Sequence, residues 1–127
     1  MKLTEPEWII MNALWGKHPA RARDIFERLP ATVNWAYTTV KTMLDRLVEK
    51  KAVSKCKQAN AGLYEPLLSR WQARKTALRT VLDRAFDGAF GPMMSFLVED
   101  ENLSISERKE LIEILSGKSR NKEKKND

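Results

Sequence analysis

Residues 35–51 read WAYTTVKTMLDRLVEKK, and this segment is the clearest structural signal in the chain. Its apolar residues recur every three or four positions, which predicts an amphipathic helix from about Ala36 to Lys50. The apolar side of this helix holds Ala36, Val40, Met43, Leu44, Leu47 and Val48. The opposite side holds Thr38, Lys41, Thr42, Asp45 and Arg46. Such a helix packs one side on a core and presents the other to solvent or to a partner.

Two helices are predicted upstream of this one. Thr4 and Glu7 have the spacing of a capping box, and the helix that they begin runs to Gly16. A second, short helix is predicted from about Ala20 to Leu29, before a proline. The brief connector at residues 31–34 leads from there to the third helix.

The periodicity changes after the third helix. Residues 53–58 alternate loosely with period two, and residues 63–66 resume that pattern after a small polar turn at residues 59–62. This predicts a β-hairpin. Three helices followed by a hairpin within about 65 residues are the element order of a winged helix-turn-helix domain, whose third helix fits the major groove of DNA.

Helical spacing returns in the second half of the chain. Ser69 is a suitable cap for a helix that Gly88 and Gly91-Pro92 interrupt, and a shorter helix is predicted from Pro92 to about Glu99. Ser104 or Ser106 caps a last helix.

The predicted fold class is therefore mainly α with a small β-hairpin, in three parts. Residues 1–68 form a winged helix-turn-helix DNA-binding domain, and residues 69–116 form a helical dimerisation region. Residues 117–127 are nearly all polar and are expected to be a disordered basic tail.

The charge is unevenly distributed. The chain of 127 residues has a formal net charge of +6. Residues 1–68 hold eleven Lys and Arg against seven Asp and Glu, whereas residues 69–127 hold twelve against ten. A basic first half favours a polyanionic partner such as nucleic acid. The helices of the second half are closer to neutral, which suits a protein interface.

Several classes of function find no support in the composition. Cys56 is the only cysteine and His18 the only histidine, which argues against a disulfide, a metal site, a cofactor and most catalytic sites. We therefore do not expect an enzyme. No apolar run approaches the roughly 20 residues of a membrane-spanning helix. The first six residues lack the apolar run of a signal peptide, so we expect a cytoplasmic protein that is not inserted in a membrane.

The predicted DNA contacts lie on the third helix and the hairpin. Hydroxyl and cationic side chains there suit base edges and phosphates, and aromatic ones at the helix start suit the sugar–phosphate backbone. The predicted contacts are Trp35, Tyr37, Thr38, Lys41, Thr42, Arg46, Lys55 and Lys57. Each has an alternative role, since a polar helix face is often merely solvated and Tyr37 also suits helix–helix packing. A winged-helix adaptor that binds a protein through the same face remains the competing class.

The apolar residues after Ser69 are numerous for three short helices, which favours a homodimer. The predicted interface or inter-helix residues are Leu78, Val81, Leu82, Phe86, Phe90, Met94, Leu97, Leu111 and Leu115. Any one of them is equally compatible with packing inside one subunit. A second alternative is a ligand-responsive repressor with a small-molecule pocket lined by Trp71, Met93 and Met94.

Residues 35–51 resemble the signature of the penicillinase-repressor family. Residues 3–8, residues 10–15 and the Tyr64-Glu65-Pro66 run are also similar to that family. The resemblance spans residues 3–116 and is strongest over residues 3–66. It implies a homodimeric transcriptional repressor that blocks a promoter by binding a pseudo-palindromic operator in double-stranded DNA. It also implies base contacts from Thr38, Lys41, Thr42 and Arg46, and a dimer held by the C-terminal helices.

The resemblance also suggests how such a repressor is controlled, and the sequence departs from the family there. Antibiotic-responsive members are cleaved downstream of a membrane sensor protease, which makes such a protease a possible partner, but residues 95–99 lack the Asn-Phe pair expected in cleaved members. Copper-responsive relatives carry a C-terminal cysteine cluster, and no cysteine follows Cys56. Lys51 stands where a glycine is usual, so either it adopts a left-handed conformation or the third helix ends differently.

Overall fold

A computed structural model describes residues 1–99 and 103–116, without the side chains of residues 98 and 114–116. Within those residues the chain forms six helices and one two-stranded antiparallel sheet. The elements are α1 (Glu5–Gly16), α2 (Ala22–Arg28), α3 (Tyr37–Glu49), β1 (Val53–Gln58), β2 (Ala61–Pro66), α4 (Arg70–Ala85), α5 (Phe90–Glu99) and α6 (Ile105–Ser116). This confirms the predicted fold class, mainly α with a hairpin in a winged-helix arrangement. The tail predicted to be disordered, residues 117–127, lies outside the described residues.

The chain divides into two compact units. The N-terminal unit, Leu3–Ser69, contains α1 to β2, and the C-terminal unit begins at Arg70 and contains α4 to α6. No helix in the described ranges is both long and apolar enough to cross a membrane.

The capping box predicted for α1 is present. The Glu7 backbone N–H donates to Thr4 Oγ1 at 3.3 Å, and the Thr4 backbone N–H donates to Glu7 Oε1 at 2.8 Å. These two bonds satisfy donors that the first helical turn leaves without partners.

The core of the N-terminal unit forms where α1, α2, α3 and the hairpin meet. The side chains of α3 that the periodicity assigns to the apolar side include three that are fully buried, Val40, Leu44 and Leu47. They lie in the core with Ile10, Met11, Leu14, Ile25 and Val53. Burial of this stripe fixes the rotation of α3 about its axis, so its polar side faces outward.

The start of α2 differs from the prediction. The helix begins at Ala22, and Ala20 instead forms an isolated antiparallel bridge with Tyr64. The Ala20 N–H donates to the Tyr64 carbonyl at 3.0 Å, and the Tyr64 N–H donates to the Ala20 carbonyl at 2.8 Å. A single paired residue has no periodicity, so the sequence carries no signal for this bridge.

The hairpin turn is also tighter than predicted. The second strand begins at Ala61, so the turn has two residues rather than four. Ala59 and Asn60 have φ of 51° and 66°, the left-handed pair found in type I′ turns. This turn type matches the twist of the flanking strands, which explains why pairing continues to the Gln58–Ala61 pair.

Helix α3 ends in a left-handed residue, the first of the two possibilities considered for Lys51. Its φ is 67°. The Lys51 N–H donates to the Val48 carbonyl and the Ala52 N–H to the Leu47 carbonyl, both at 3.0 Å. This pair of bonds closes a helix C-terminus that usually contains glycine at the left-handed position.

The C-terminal unit contains one further correction. Gly91 and Pro92 do not interrupt a helix but lie in the first turn of α5, which begins at Phe90 rather than Pro92. Proline is tolerated there because the first turn has no intrahelical acceptor for its missing N–H. The other predicted interruption, at Gly88, is present: α4 ends at Ala85, and Asp87 and Gly88 have φ of 51° and 77°.

Helix α6 is capped by Ser104 rather than Ser106. The Glu107 N–H donates to Ser104 Oγ at 3.0 Å, and the Ser104 N–H donates to Glu107 Oε1 at 3.1 Å. The pKa of the Glu107 carboxyl is lowered, because the Ser104 backbone N–H and, to a smaller extent, the Ser104 hydroxyl hydrogen-bond the ionised carboxylate.

Candidate nucleic-acid interface

The outward side of α3 carries the side chains that the sequence assigns to base contacts. Thr38, Lys41, Thr42 and Arg46 are all exposed. The Thr42 hydroxyl donates to the Thr38 carbonyl at 3.0 Å, which turns its lone pairs outward as acceptors. The helix therefore presents hydroxyls near its start and a guanidinium one turn further on, along one solvent-facing stripe.

The two aromatic residues at the start of α3 are half-buried, and Tyr37 has the helix–helix packing role considered for it. Its ring packs edge-on against Phe26 of α2, with centroids 5.7 Å apart. The guanidinium of Arg23 lies 4.3 Å from the Tyr37 ring centroid, and Lys41 Nζ lies 5.9 Å from it. Tyr37 thus joins α2 to α3 and also supports two cations. Trp35 precedes the helix and is partly exposed.

The hairpin supplies a second basic surface. Lys55 and Lys57 are exposed and two residues apart on β1, so they share one face of the hairpin. Lys55 pairs across the hairpin with Tyr64, and its Nζ lies 5.6 Å from the centroid of that ring. Cys56 lies between the two lysines as an exposed free thiol.

Helices α2 and α3 and the hairpin enclose a cationic groove of about 280 Å³. The side chains that give it its chemistry are Arg21, Arg23, Tyr37, Lys41, Lys55 and Tyr64. Arg21, Arg23 and Tyr64 are not among the predicted DNA contacts. They approach Lys41 and Lys55 only because α2 and the hairpin pack beside α3, an arrangement with no signature in local spacing.

The cations of this surface differ in how they are compensated. Arg21 forms an ion pair of 3.0 Å with Asp24, and hydrogen bonds from Arg21 lower the pKa of Asp24 to about 2. No ion pair in the described part of the chain involves Arg23, Lys41 or Lys55, nor the exposed cations Arg46 and Lys57. The surface therefore keeps a positive field directed at solvent.

The predicted interface residues of the C-terminal unit fall into three groups. Val81 and Phe90 are 47% and 46% exposed, whereas Leu82 is buried within a single chain. The half-buried ones are Leu78, Phe86, Met94, Leu97 and Leu111. The Leu115 side chain lies outside the described residues. Three exposed apolar residues were not predicted, namely Phe96, Ile105 and Ile112.

The residues suggested for a small-molecule pocket are mostly covered. Trp71 and Met93 are buried, and Met94 is half-buried. Lys75 Nζ lies 5.0 Å from the Trp71 ring centroid. These contacts are those of packed residues, as aromatic and Met positions at helical spacing usually show.

A three-helix unit with an outward polar helix, a basic hairpin beside it and uncompensated cations between them defines a winged-helix protein of the DNA-binding class. A sequence profile of the penicillinase repressor family matches residues 3–117. The chain belongs to the penicillinase repressor family, and it is accordingly a DNA-binding transcriptional repressor.

Two relatives can be aligned with nearly the whole of this chain. The chain is 27% identical over 117 residues to the methicillin resistance regulatory protein MecI of Staphylococcus aureus (strain N315), which covers 92% of this chain and 95% of the relative. It is also 27% identical over 123 residues to the penicillinase repressor of Bacillus licheniformis, covering 96% of each. A solved structure of the CopR repressor is 34% identical, with a TM-score of 0.46, and covers 53% of this chain and 97% of that one.

Proposed function

We propose that this repressor is a homodimer that binds a pseudo-palindromic operator and prevents transcription by occluding the promoter. The observation that carries the proposal is the outward stripe of α3, where Thr38, Thr42 and Arg46 are exposed beside cations that form no ion pair in the described part of the chain. Side chains of these types on a major-groove helix read base edges, and the lysines of the hairpin hold the backbone beside it.

The dimer part of the proposal rests on the C-terminal unit. Val81, Phe90 and Phe96 remain 47%, 46% and 58% exposed in a single chain, and a second copy would cover such side chains. Two identical DNA-binding units on one palindrome gain affinity, because binding of the first raises the effective concentration of the second. Occupancy of the operator then depends on dimerisation.

Cleavage by a membrane sensor protease is not part of the proposal. Residues 95–99, where such cleavage would be expected from the family resemblance, lack the Asn-Phe pair and lie inside α5.

The proposal is tested by fluorescence anisotropy with duplexes from the region upstream of the gene, using random DNA as competitor at several salt concentrations. We expect one duplex to bind saturably in the presence of the competitor, with a negative salt slope. Thr42→Ala and Arg46→Ala should each weaken that complex by about 1–3 kcal/mol and reduce its selectivity. Arg84→Ala is the matched control, since Arg84 is an exposed cation of the C-terminal unit. Equal binding to every duplex would favour the protein-adaptor alternative.

A further inference from the structure

The cationic groove brings together three cations from three different elements. Arg23 comes from α2, Lys41 from α3 and Lys55 from the hairpin, and all three line the same cavity of about 280 Å³. None of them forms an ion pair with a carboxylate among the described residues. Convergent cations with no internal counterion repel one another unless an anion from outside is bound between them.

Aromatic rings lie beside all three cations, and Lys41 Nζ is 5.9 Å from the centroid of the Tyr37 ring. Arg23 lies 4.3 Å from the centroid of the Tyr37 ring, which is itself fixed edge-on against Phe26. Lys55 Nζ lies 5.6 Å from the centroid of Tyr64, a residue that is only 2% exposed. A cation resting on a fixed ring loses less conformational freedom when it binds an anion, which is how preorganised sites gain affinity.

The position of the Lys55 side chain depends on the absence of a side chain at Gly62. A Cβ built on Gly62 would lie 2.9 Å from Lys55 Cε, closer than carbon atoms approach. Gly62 also lines the groove. Its φ is not positive, so the backbone conformation at this position does not require glycine. The glycine therefore leaves the space in which the Lys55 side chain lies along the hairpin toward Tyr64.

We propose that this groove binds one phosphate group between Arg23, Lys41 and Lys55, and that Gly62 is a positioning residue that lets Lys55 reach it. The inference rests on the proposed function, in which the phosphate is a phosphodiester of the operator backbone. A free phosphate compound has the same chemistry and would compete with DNA for the groove. Contacts to phosphate carry no base information, so the groove sets affinity and register rather than sequence preference.

The first test compares Arg23→Gln, Lys55→Ala and Gly62→Ala with Thr42→Ala on the operator duplex and on a random duplex. The groove variants should lose affinity for both duplexes by the same factor. Each lost phosphate contact should also make the salt slope shallower by about 0.9, so that the deficit is about three- to fourfold smaller at 200 mM than at 50 mM salt. Arg84→Ala is again the control. A loss confined to the operator duplex would overturn the assignment to phosphate.

The second test separates Gly62 from a merely structural role. Gly62→Ala displaces only the flexible end of Lys55, so its melting temperature should be no lower than that of the wild type. In the Lys55→Ala background, Gly62→Ala should have no additional effect on DNA affinity, because the side chain that it displaces is gone. Additive losses would overturn the positioning role.

The third test distinguishes the source of the phosphate. The full-length ¹⁵N-labelled protein is titrated with inorganic pyrophosphate, then with random duplex, and the amide signals of Gly62, Tyr64 and Arg23 are followed by NMR. Shifts with the duplex alone assign the groove to the DNA backbone, and saturable shifts with pyrophosphate that also displace the duplex extend it to free phosphates. Absence of shifts with both ligands would overturn the site.

These tests also separate the inference from the proposed function. If no duplex binds selectively but the groove variants weaken binding to random DNA, the operator proposal fails and the phosphate site stands. If selective binding is found and the groove variants leave it unchanged, the operator proposal stands and the phosphate site fails.

Discussion

The carboxylate of Glu7 and the ammonium of Lys50 form an ion pair of 2.7 Å that joins the start of α1 to the end of α3. The Glu7 side chain is only 6% exposed, and the same oxygen, Oε1, also accepts the Thr4 N–H of the capping box. Burial alone would raise the pKa of this carboxyl, but the hydrogen bonds from Lys50 and Thr4 outweigh it and hold the pKa below its ordinary value. One carboxylate thus caps α1 and anchors the end of α3.

Glu7→Gln is expected to lower the free energy of unfolding by about 1–3 kcal/mol at pH 7. The amide can still accept the Thr4 N–H, but the charge-assisted bond to Lys50 is lost. Urea denaturation measures the change, and Glu5→Gln is the matched control because Glu5 is an exposed carboxylate of the same helical turn. An equal effect of the two substitutions would show that the ion pair contributes nothing specific.

The contribution of Glu7 should also depend on pH, with a defined sign. Because the folded-state pKa is lowered, the stabilisation is complete above the unfolded-state pKa, near 4.5, and is lost as the pH falls through the folded-state value. The difference in unfolding free energy between wild type and Glu7→Gln should therefore be constant from pH 7 to about pH 5 and shrink below pH 4. Denaturation series at pH 7, 5 and 3 measure it. A difference that persists unchanged at pH 3 would contradict the assignment.

Lys51→Gly is expected to stabilise the protein by about 1 kcal/mol. Lys51 has a φ of 67°, which costs a residue with a Cβ roughly this amount and costs glycine almost nothing. Glu49→Gly is the control, since it places glycine inside the helix and should destabilise by about 1 kcal/mol. The midpoint of urea denaturation should move in opposite directions for the two variants. Destabilisation by both would contradict the left-handed C-cap.

Some features of the fold can be predicted from local sequence, whereas contacts between distant segments cannot. The capping box of α1 and the amphipathic stripe of α3 depend on residues within one or two turns of each other, so local spacing identifies them. The bridge from Ala20 to Tyr64 and the groove between Arg23 and Lys55 join residues that are more than thirty positions apart. Such neighbours follow from tertiary packing, which a single periodicity does not encode.

The turn of the hairpin was not predicted correctly for a different reason, because its two residues are not those that its turn type prefers. Ala59 and Asn60 are the two residues of a type I′ turn, yet Asn-Gly is the sequence pair that this turn prefers, and the sequence predicts a longer turn over residues 59–62. Ala59→Asn combined with Asn60→Gly should therefore raise the unfolding free energy by about 1 kcal/mol. Thermal denaturation measures this gain, and DNA affinity should not change, because neither side chain lines the groove. A lower stability would indicate that the hairpin does not use this turn.

Exposed apolar side chains of the C-terminal unit are proposed to hold two copies of the chain together. Val81→Glu with Phe90→Glu places charges where exposed apolar side chains are proposed to meet a second copy, and burying an unpaired charge is costly. We expect dimerisation to weaken roughly tenfold or more, measured by sedimentation equilibrium. Arg79→Glu is the control, since Arg79 is exposed on α4 and, two positions from Val81, lies on another side of the helix. The operator affinity of the double variant should fall toward that of one DNA-binding unit, whereas thermal stability at low protein concentration should be retained.

A variant that remains dimeric would place the interface on other residues. A variant that becomes monomeric yet binds the operator as tightly as the wild type would show that one DNA-binding unit is sufficient, and occupancy would then not depend on the dimer.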